Sequence, residues 1–256
     1  MTRILDLNAD LGESFGPWRM GRDEALLELV TSANVACGFH AGDPDVMAET
    51  VRLAVARGVA IGAHPSLPDR QGFGRRAMAM TPAEIHNLAL YQIGALAGFV
   101  CAAGARLVHV KPHGALYNQA AADPALASAI AAAVRAFDPN LVLVGLAGSC
   151  LMEAGRAAGL QVAREGFADR RYQSDGTLTP RHNPDALIDD PEEAVTQVVR
   201  MVERGEVLAC DGTAVPVTVD TLCLHGDSPQ AVALARHLRA ELTARGIVLA
   251  ALGSGK

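Results

Sequence analysis

The chain has 256 residues, of which 50% are hydrophobic and only 4% aromatic, and its formal net charge is −6. A chain of this size can bury one large aliphatic core, so we expect a single domain over residues 1–256. The acidic balance offers no basic stripe for nucleic acid, and no run of roughly 18 or more apolar residues could span a bilayer. Nucleic acid and membranes are therefore not expected partners.

The N-terminal sequence predicts a cytoplasmic protein. It passes from Met1 into a strand-like segment without the basic, apolar and cleavage regions of a signal peptide. The five cysteines are odd in number, have no CxxC spacing and lie mostly in apolar runs. This usage favours reduced core thiols over disulfides or metal ligands.

Short β-rich segments alternate with longer helical segments along the whole chain. The predicted strands are 3–8, 33–38, 59–63, 106–111, 141–146, 160–165 and 219–224. The predicted helices are 22–31, 44–57, 81–103, 121–136, 148–158, 191–204 and 228–244. Seven strand–helix units in succession are typical of an α/β barrel.

Two segments interrupt this alternation. Residues 206–218 predict a β-hairpin that turns at Asp211-Gly212. Residues 167–190 form a long irregular segment rich in Asp, Arg, Gly and Pro. A long loop in a compact domain is usually functional or mobile, so we expect one of these roles for it.

Polar residues recur at the C-terminal ends of the predicted strands, where the strands of an α/β barrel meet at one mouth. They are Asn8, Asp10, His40, His64, Lys111, His113, Glu165, His225 and Asp227. Positions of the same strand parity, such as Asp6, Asn34 and His109, are also polar, which predicts a polar barrel interior. Such groups cost roughly 1–3 kcal/mol each when buried without a partner, so they need a network or a function.

Most of these residues also have a structural interpretation. Asp10 could cap a turn, and His40 and His64 could be hydrogen-bonded core histidines. His225 and Asp227 could be a strand end and a helix cap, although the pair also suits an acid/base couple. Glu165 could simply pair with Lys111 or Arg164.

Lys111 is the hardest of the candidates to explain structurally, because a charge in an apolar strand needs a partner or a substrate anion. Asp10, His40 and His64 have the ligand types of a divalent metal that activates water for amide hydrolysis, but no HxxxH or HExxH pair accompanies them. Without a metal, Asp10 is a candidate general base and the imidazoles are candidate acids. Replacing Asp10 or Lys111 by Ala is expected to abolish turnover with little loss of thermal stability.

Seven strings of the sequence resemble the LamB/YcsF family, and the resemblance runs from residue 5 to about 250. The strings are LNADLGES (7–14), ANVACGFHAGD (33–43), GAHPS (62–66), DRQGFGRR (69–76), VKPHGALYN (110–118), EGFADRRY (165–172) and LHGD (224–227). The resemblance implies a seven-stranded β/α barrel of the glycoside hydrolase/deacetylase-like kind, with its active site at the strand C-termini.

The resemblance also implies an activity, namely ATP-dependent opening of 5-oxo-L-proline to L-glutamate, with Mg²⁺ accompanying the nucleotide and two partner subunits, B and C. No ATP loop is recognisable in this chain, which assigns part of the nucleotide chemistry to the partners. Expected roles are base or water orienter for Asp10, anion anchors for Lys111 and Arg170, and substrate contacts for Asn8 and Tyr172. The remaining expected catalytic residues are the oxyanion donors His40, His64, His113 and His225, together with Glu165 and Asp227.

Two alternatives stay open. The chain could be a stand-alone metal-dependent deacetylase or amidohydrolase, or a non-catalytic subunit that binds a sugar or a lactam.

Overall fold

Seven parallel strands close into a barrel in the computed structural model, which describes residues 3–225 and 231–253. The barrel strands are β1 (Ile4–Leu11), β2 (Ser32–Ala36), β3 (Ala60–His64), β4 (Leu107–Val110), β5 (Val142–Leu146), β6 (Gln161–Phe167) and β9 (Thr221–His225). They pair in this order, and β9 pairs back with β1, from Thr221 beside Asp6 to His225 beside Asp10. The predicted seven-stranded β/α barrel is confirmed.

Eight helices lie among the residues that the structure describes. They are α1 (Asp23–Leu27), α2 (Pro44–Ala56), α3 (Pro82–Ala102), α4 (Gly114–Ala122), α5 (Pro124–Phe137), α6 (Cys150–Ala157), α7 (Pro191–Arg204) and α8 (Ala231–Ala244). Seven of them overlap the predicted helices, and α4 is the addition. The predicted helix 121–136 was wrong at its start, because the Asp123 side chain accepts hydrogen bonds from the backbone N–H groups of Ala125 and Leu126 and so begins α5.

Three short strands lie outside the barrel in the described part of the chain. The predicted hairpin is present as antiparallel β7 (Glu206–Leu208) and β8 (Ala214–Pro216), with Gly212 in its turn at φ 84°. An unpredicted strand, β10 (Val248–Leu249), pairs in parallel with the first two residues of β1.

The two faces of β1 differ as the strand parity predicts. Leu5, Leu7 and Leu11 are buried on the apolar face that packs against the surrounding helices. Asp6 and Asn8 face the barrel interior, where they hydrogen-bond to the hydroxyl of Thr221 on the neighbouring strand β9. The barrel interior is therefore filled by a polar network.

This interior network continues across β2 and β4. The side-chain amide of Asn34 donates to Asn8 Oδ1 at 2.7 Å and to Asp10 Oδ1 at 2.9 Å. The Nε2 atom of His109 lies 2.7 Å from Asn34 Oδ1, and burial lowers the pKa of His109 to about 3. Burial likewise raises the pKa of Asp6 above its ordinary value. The network gives most of these buried groups a partner.

Gly62 on β3 makes room for the His109 ring, because a Cβ at this position would overlap the imidazole. We expect Gly62→Ala to lower the free energy of unfolding by about 1–3 kcal/mol, as overpacked cores do. Gly94, on the exposed side of α3, has no atom within 4 Å of such a Cβ, so Gly94→Ala is the matched control and should stabilise the helix by up to ~1 kcal/mol. Urea unfolding measures the free energy of unfolding of both variants. Equal changes in the two would contradict the steric role of Gly62.

Helix α3 is long and apolar enough to cross a bilayer by length and composition, and α4 with α5 passes the same test across a bend of 116°. In the barrel, α3 packs on β3 and α5. Its residues Ile85, Ile93 and Leu96 are fully buried in these contacts. The apolar composition of α3 therefore serves the packing between the barrel and the outer helices.

Candidate active site

A cavity of about 480 Å³ opens at the C-terminal ends of the barrel strands. One side is lined by Asp10 of β1, His64 of β3, and Lys111 and His113, which follow β4. The other side is formed by α4 and by the segment 167–190. Five of the predicted residues, these four and Arg170, therefore line one cavity although they lie far apart in sequence.

Lys111 is 2% exposed and is held between two carboxylates. Its Nζ atom lies 3.0 Å from Asp10 Oδ1 and 2.9 Å from Glu165 Oε1. It also donates to Asn8 Oδ1 at 3.3 Å and to Cys223 Sγ at 3.0 Å. Burial alone would lower the pKa of Lys111, but Asp10, Cys223 and Glu165 hold it well above its ordinary value. Lys111 is thus a buried ammonium that fixes the position of Asp10.

Four buried side chains bring possible metal ligands together: Glu13, His40, His64 and His113 each have one donor atom within 4.8 Å of all the others. His40 Nε2 lies 3.2 Å from Glu13 Oε1, and His113 Nδ1 lies 3.0 Å from His64 Nε2. Burial lowers the pKa of His40 and His113 well below the ordinary value, and the neighbouring imidazoles lower it further. Neutral imidazoles and a carboxylate are the ligand types that Zn²⁺ and similar ions prefer.

This cluster differs from the predicted ligand set of Asp10, His40 and His64. The two histidines belong to the cluster, but the other members are Glu13 and His113. Asp10 Oδ2 lies 3.3 Å from His64 Nε2, so Asp10 borders the cluster while pairing with Lys111. Sequence reasoning missed Glu13, although it stands in the string 7–14 directly after Gly12, whose φ of 71° turns the chain.

Asn8 and Tyr172 were predicted to contact substrate, but the structure places both side chains away from the cavity lining. Tyr172 is fully buried, and its hydroxyl accepts a hydrogen bond from the backbone N–H of Phe167 at 2.9 Å. The Asn8 amide donates to Glu165 Oε1 at 3.0 Å inside the barrel. Neither side chain lines the cavity. Both side chains instead stabilise the structure around the cavity through these hydrogen bonds.

Glu165 also lies behind the cavity wall. It is fully buried, and its Oε1 atom contacts the Lys111 ammonium, so the interpretation that it pairs with a cation is confirmed. Glu165 therefore meets the cavity through Lys111 and through the nearby Tyr117. His40 likewise does not line the cavity, and it reaches the cavity wall through its stacked neighbour His113, at 3.9 Å between ring centroids.

Arginines give the cavity a cationic side. Arg170, 4% exposed, lines it together with Arg75 and Arg181. The Arg170 guanidinium donates to the carbonyl of Thr179 at 2.7 Å, while its Nε atom is buried without a partner. Burial and the nearby Arg181 lower the pKa of Arg170 to about 10. An anion in the cavity would relieve this repulsion.

The segment 167–190 that carries Arg170 is fixed to its surroundings. Backbone bridges join Arg170 to Leu187 and Tyr172 to Leu178. The side-chain amide of Gln197 on α7 donates to the carbonyls of Phe167 and Arg170, both at 2.9 Å. Of the two expected roles, functional or mobile, the position of this segment in the cavity wall favours the functional one.

Tyr117 of α4 is a cavity residue that sequence reasoning did not single out, although it stands in the string 110–118. Its hydroxyl is buried, and burial together with the nearby Glu165 carboxylate raises its pKa well above the ordinary value. Arg75, from the string 69–76, is a second such residue. The predicted residue His225 ends β9 beside Asp10 in register. The side chain of His225 and all of Asp227 lie outside the described residues, so their roles stay predictions.

The chain is a β/α-barrel protein. Its seven strands close into a barrel, and polar groups surround a cavity at their C-terminal ends, where β/α-barrel enzymes have their active sites. The chain belongs to the LamB/YcsF family, whose family model matches residues 5–255. The family resemblance read from the sequence is therefore confirmed.

Similar proteins cover nearly the whole chain. It is 77% identical over 253 residues to the A subunit of 5-oxoprolinase from Methylococcus capsulatus, covering 99% of this chain and 97% of that protein. It is 58% identical to the corresponding 5-oxoprolinase subunit of Bacillus subtilis, covering 97% of this chain and 96% of that one. The solved structure of the lactam utilization protein from Thermus thermophilus superposes with a TM-score of 0.91 at 52% identity, over 96% of this chain and 99% of that one.

Proposed function

We propose that this chain is the lactam-hydrolysing A subunit of an ATP-dependent 5-oxoprolinase that converts 5-oxo-L-proline to L-glutamate. The observation that carries the proposal is the placement of Asp10, Lys111 and Arg170 around one cavity. Such a cavity offers a base, a buried ammonium and an anion anchor to a small anionic substrate. The names of full-length relatives at 77% and 58% identity support the same activity.

ATP is needed because a five-membered lactam is an unstrained amide with a weakly electrophilic carbonyl. Phosphoryl transfer from ATP to the lactam oxygen gives an O-phosphorylated ring, whose carbon accepts water more readily. We assign the nucleotide and its Mg²⁺ to the complex that the chain forms with two partner subunits, B and C, because no nucleotide loop is recognisable in its sequence.

Asp10 is the base in this proposal. Lys111 and the Asn34 amide hold its Oδ1 atom at 3.0 Å and 2.9 Å, which leaves the carboxylate charged and oriented beside the cavity. As water adds to the ring carbon, its proton passes to Asp10. The bond from carbon to the ring nitrogen then breaks as that nitrogen takes up a proton, and a γ-acyl phosphate remains. A second water releases phosphate and glutamate.

The arginines bind the negative groups in this scheme. The substrate carboxylate and the transferred phosphoryl group are anions, and Arg75, Arg170 and Arg181 line the cavity on one side. Arginine suits these groups because its planar fork matches carboxylate and phosphate oxygens.

The test is ATP-dependent release of glutamate from 5-oxoproline by this chain, measured with and without the purified B and C subunits. Release only in the reconstituted mixture is the expected result. No release in either sample would contradict the proposal. Release by the chain alone without ATP would favour the alternative, a stand-alone metal-dependent amidohydrolase. In such an enzyme the histidine cluster would hold the metal.

Arg170→Gln should lower kcat/KM of the reconstituted enzyme by about 10–100-fold, mainly through a higher KM, because a charge-assisted hydrogen bond to the anionic substrate is lost. The matched control is Arg171→Gln at the next position. Arg171 pairs with Glu193 on the outside of the barrel, at 2.5 Å, and does not line the cavity. Steady-state kinetics of both variants measure the difference, and equal kinetics would contradict a binding role for Arg170.

A further inference from the structure

Two backbone carbonyls determine which ring nitrogens of His64 and His113 carry hydrogen. His64 Nδ1 lies 2.7 Å from the carbonyl oxygen of Lys111, and His113 Nε2 lies 2.9 Å from that of Phe73. A carbonyl oxygen only accepts, so both of these nitrogens are N–H donors. In the neutral rings, the other two nitrogens, His64 Nε2 and His113 Nδ1, therefore carry lone pairs.

These two lone-pair atoms face each other across 3.0 Å. Two further acceptor atoms lie near them, since Asp10 Oδ2 is 3.3 Å from His64 Nε2 and Glu13 Oε1 is 3.7 Å from His113 Nδ1. Converging lone pairs repel each other unless a positive species lies between them. A shared proton would satisfy one nitrogen pair, whereas a metal cation accepts lone pairs from several donors at once.

We propose that Glu13, His40, His64 and His113 bind one divalent transition-metal ion of the Zn²⁺ type. Metal–ligand bonds of about 2.0–2.1 Å in a tetrahedron place the donor atoms about 3.3 Å apart. Three of the six separations among these donor atoms, 3.0, 3.2 and 3.7 Å, are close to that value, and all four atoms lie within 4.8 Å of one another. The rings of His40 and His113, stacked at 3.9 Å between centroids, would rotate apart to direct both lone pairs at the ion. Histidine ligands usually donate their second ring N–H to a carbonyl or carboxylate, as His64 and His113 do here.

The cavity lies on one side of this cluster. His64 and His113 line the cavity, whereas Glu13 and His40 lie behind them. An ion held by the four residues would therefore face the cavity beside Asp10. Four protein ligands already fill a tetrahedral ion, so a substrate oxygen or a water molecule would reach it as a fifth ligand. In that position the ion would polarise the oxygen or acidify the water. The proposal that a metal binds is argued from the donor atoms of the four residues. The role of the metal in lactam opening rests in addition on the proposed function.

The first test needs no substrate. The full-length chain is treated with a chelator, dialysed, and titrated separately with Zn²⁺ and Co²⁺, with bound metal measured by plasma mass spectrometry. We expect about one equivalent of metal, visible d–d absorption of bound Co²⁺, and a higher Tm of the loaded chain, because an ion that binds only the folded state stabilises it. A wild-type chain that retains no stoichiometric metal would overturn the proposal.

Variants then locate the site. Glu13→Gln and His113→Gln should each weaken metal binding by at least about 100-fold and abolish the metal-dependent rise in Tm, since each removes a ligand. His109→Gln is the matched control, because His109 is equally buried but bonds to Asn34 outside the cluster. His86→Gln, on the surface of α3, is a second control. Both controls should keep one equivalent, and unchanged binding in the two cluster variants would overturn the assignment.

Failure of this inference is separable from failure of the proposed function. Glutamate release by a metal-free chain with its partner subunits, in the presence of chelator, would leave the activity standing and refute a role for the metal in it. Metal binding without glutamate release would support the metal site and contradict the proposed function.

Discussion

Replacing Lys111 by Met is expected to abolish glutamate release and to lower the free energy of unfolding by about 3–5 kcal/mol. The side chain is 2% exposed, and its ammonium neutralises both Asp10 and Glu165. Without it, two carboxylates remain in the barrel with no ammonium between them, and Asp10 loses a partner that orients it. Urea unfolding and the coupled glutamate assay measure the two effects.

A double variant separates stability from activity. Lys111→Met with Glu165→Gln removes one of the two stranded carboxylate charges, so it should regain part of the lost stability while staying inactive. A Lys111→Met chain as stable as the wild type would contradict the buried ion-pair arrangement. The buried ion pairs also replace the sequence expectation for Lys111→Ala, which was little loss of thermal stability.

We expect a second large effect from Asp10→Asn, which should lower kcat for glutamate release by about 10²–10⁴-fold. The reason is that an amide cannot accept the proton from water. The free energy of unfolding of Asp10→Asn should differ little from that of the wild type. The Asn oxygen can accept from Asn34 and Lys111 as Asp10 Oδ1 does, and the amide nitrogen can donate to His64 Nε2, which lies 3.3 Å from Asp10 Oδ2. Steady-state kinetics and thermal unfolding test both statements.

The matched control is Asp6→Asn, the same substitution on the same strand and the same face. Asp6 accepts hydrogen bonds from Thr31, Ser32 and Thr221 and does not line the cavity. Its replacement should leave kcat within a few-fold of the wild-type value. An Asp10→Asn chain that changes KM but not kcat would instead support a non-catalytic binding subunit.

The barrel and the polar character of its interior could be predicted because both follow from local periodicity. Leu5 and Leu7 alternate with Asp6 and Asn8, and alternate residues of any strand face opposite sides. The convergence of Asp10, His64, Lys111 and His113 also follows, because the C-terminal ends of parallel barrel strands share one mouth. These properties require no knowledge of how distant loops pack.

The errors concern residues whose placement depends on the path of loops. Glu13 reaches the histidine cluster only through the turn after β1, and Tyr172 is turned inward by its hydrogen bond to Phe167. Helix α4 was missed because Pro112 and Gly114, which stand at its start, are residues typical of loops. Tertiary contacts decide such positions, and strand or helix periodicity does not report them.

The fixed segment 167–190 has a kinetic consequence. Ordering a mobile side chain at a binding site costs about 0.5–1.5 kcal/mol, but Arg170 is already held by Thr179 and by the backbone bridge to Leu187. An incoming anion therefore meets a cation that is in place before the encounter. Its capture should be limited by diffusion and attraction, with an association rate that falls as ionic strength rises, and not by the closing of a loop.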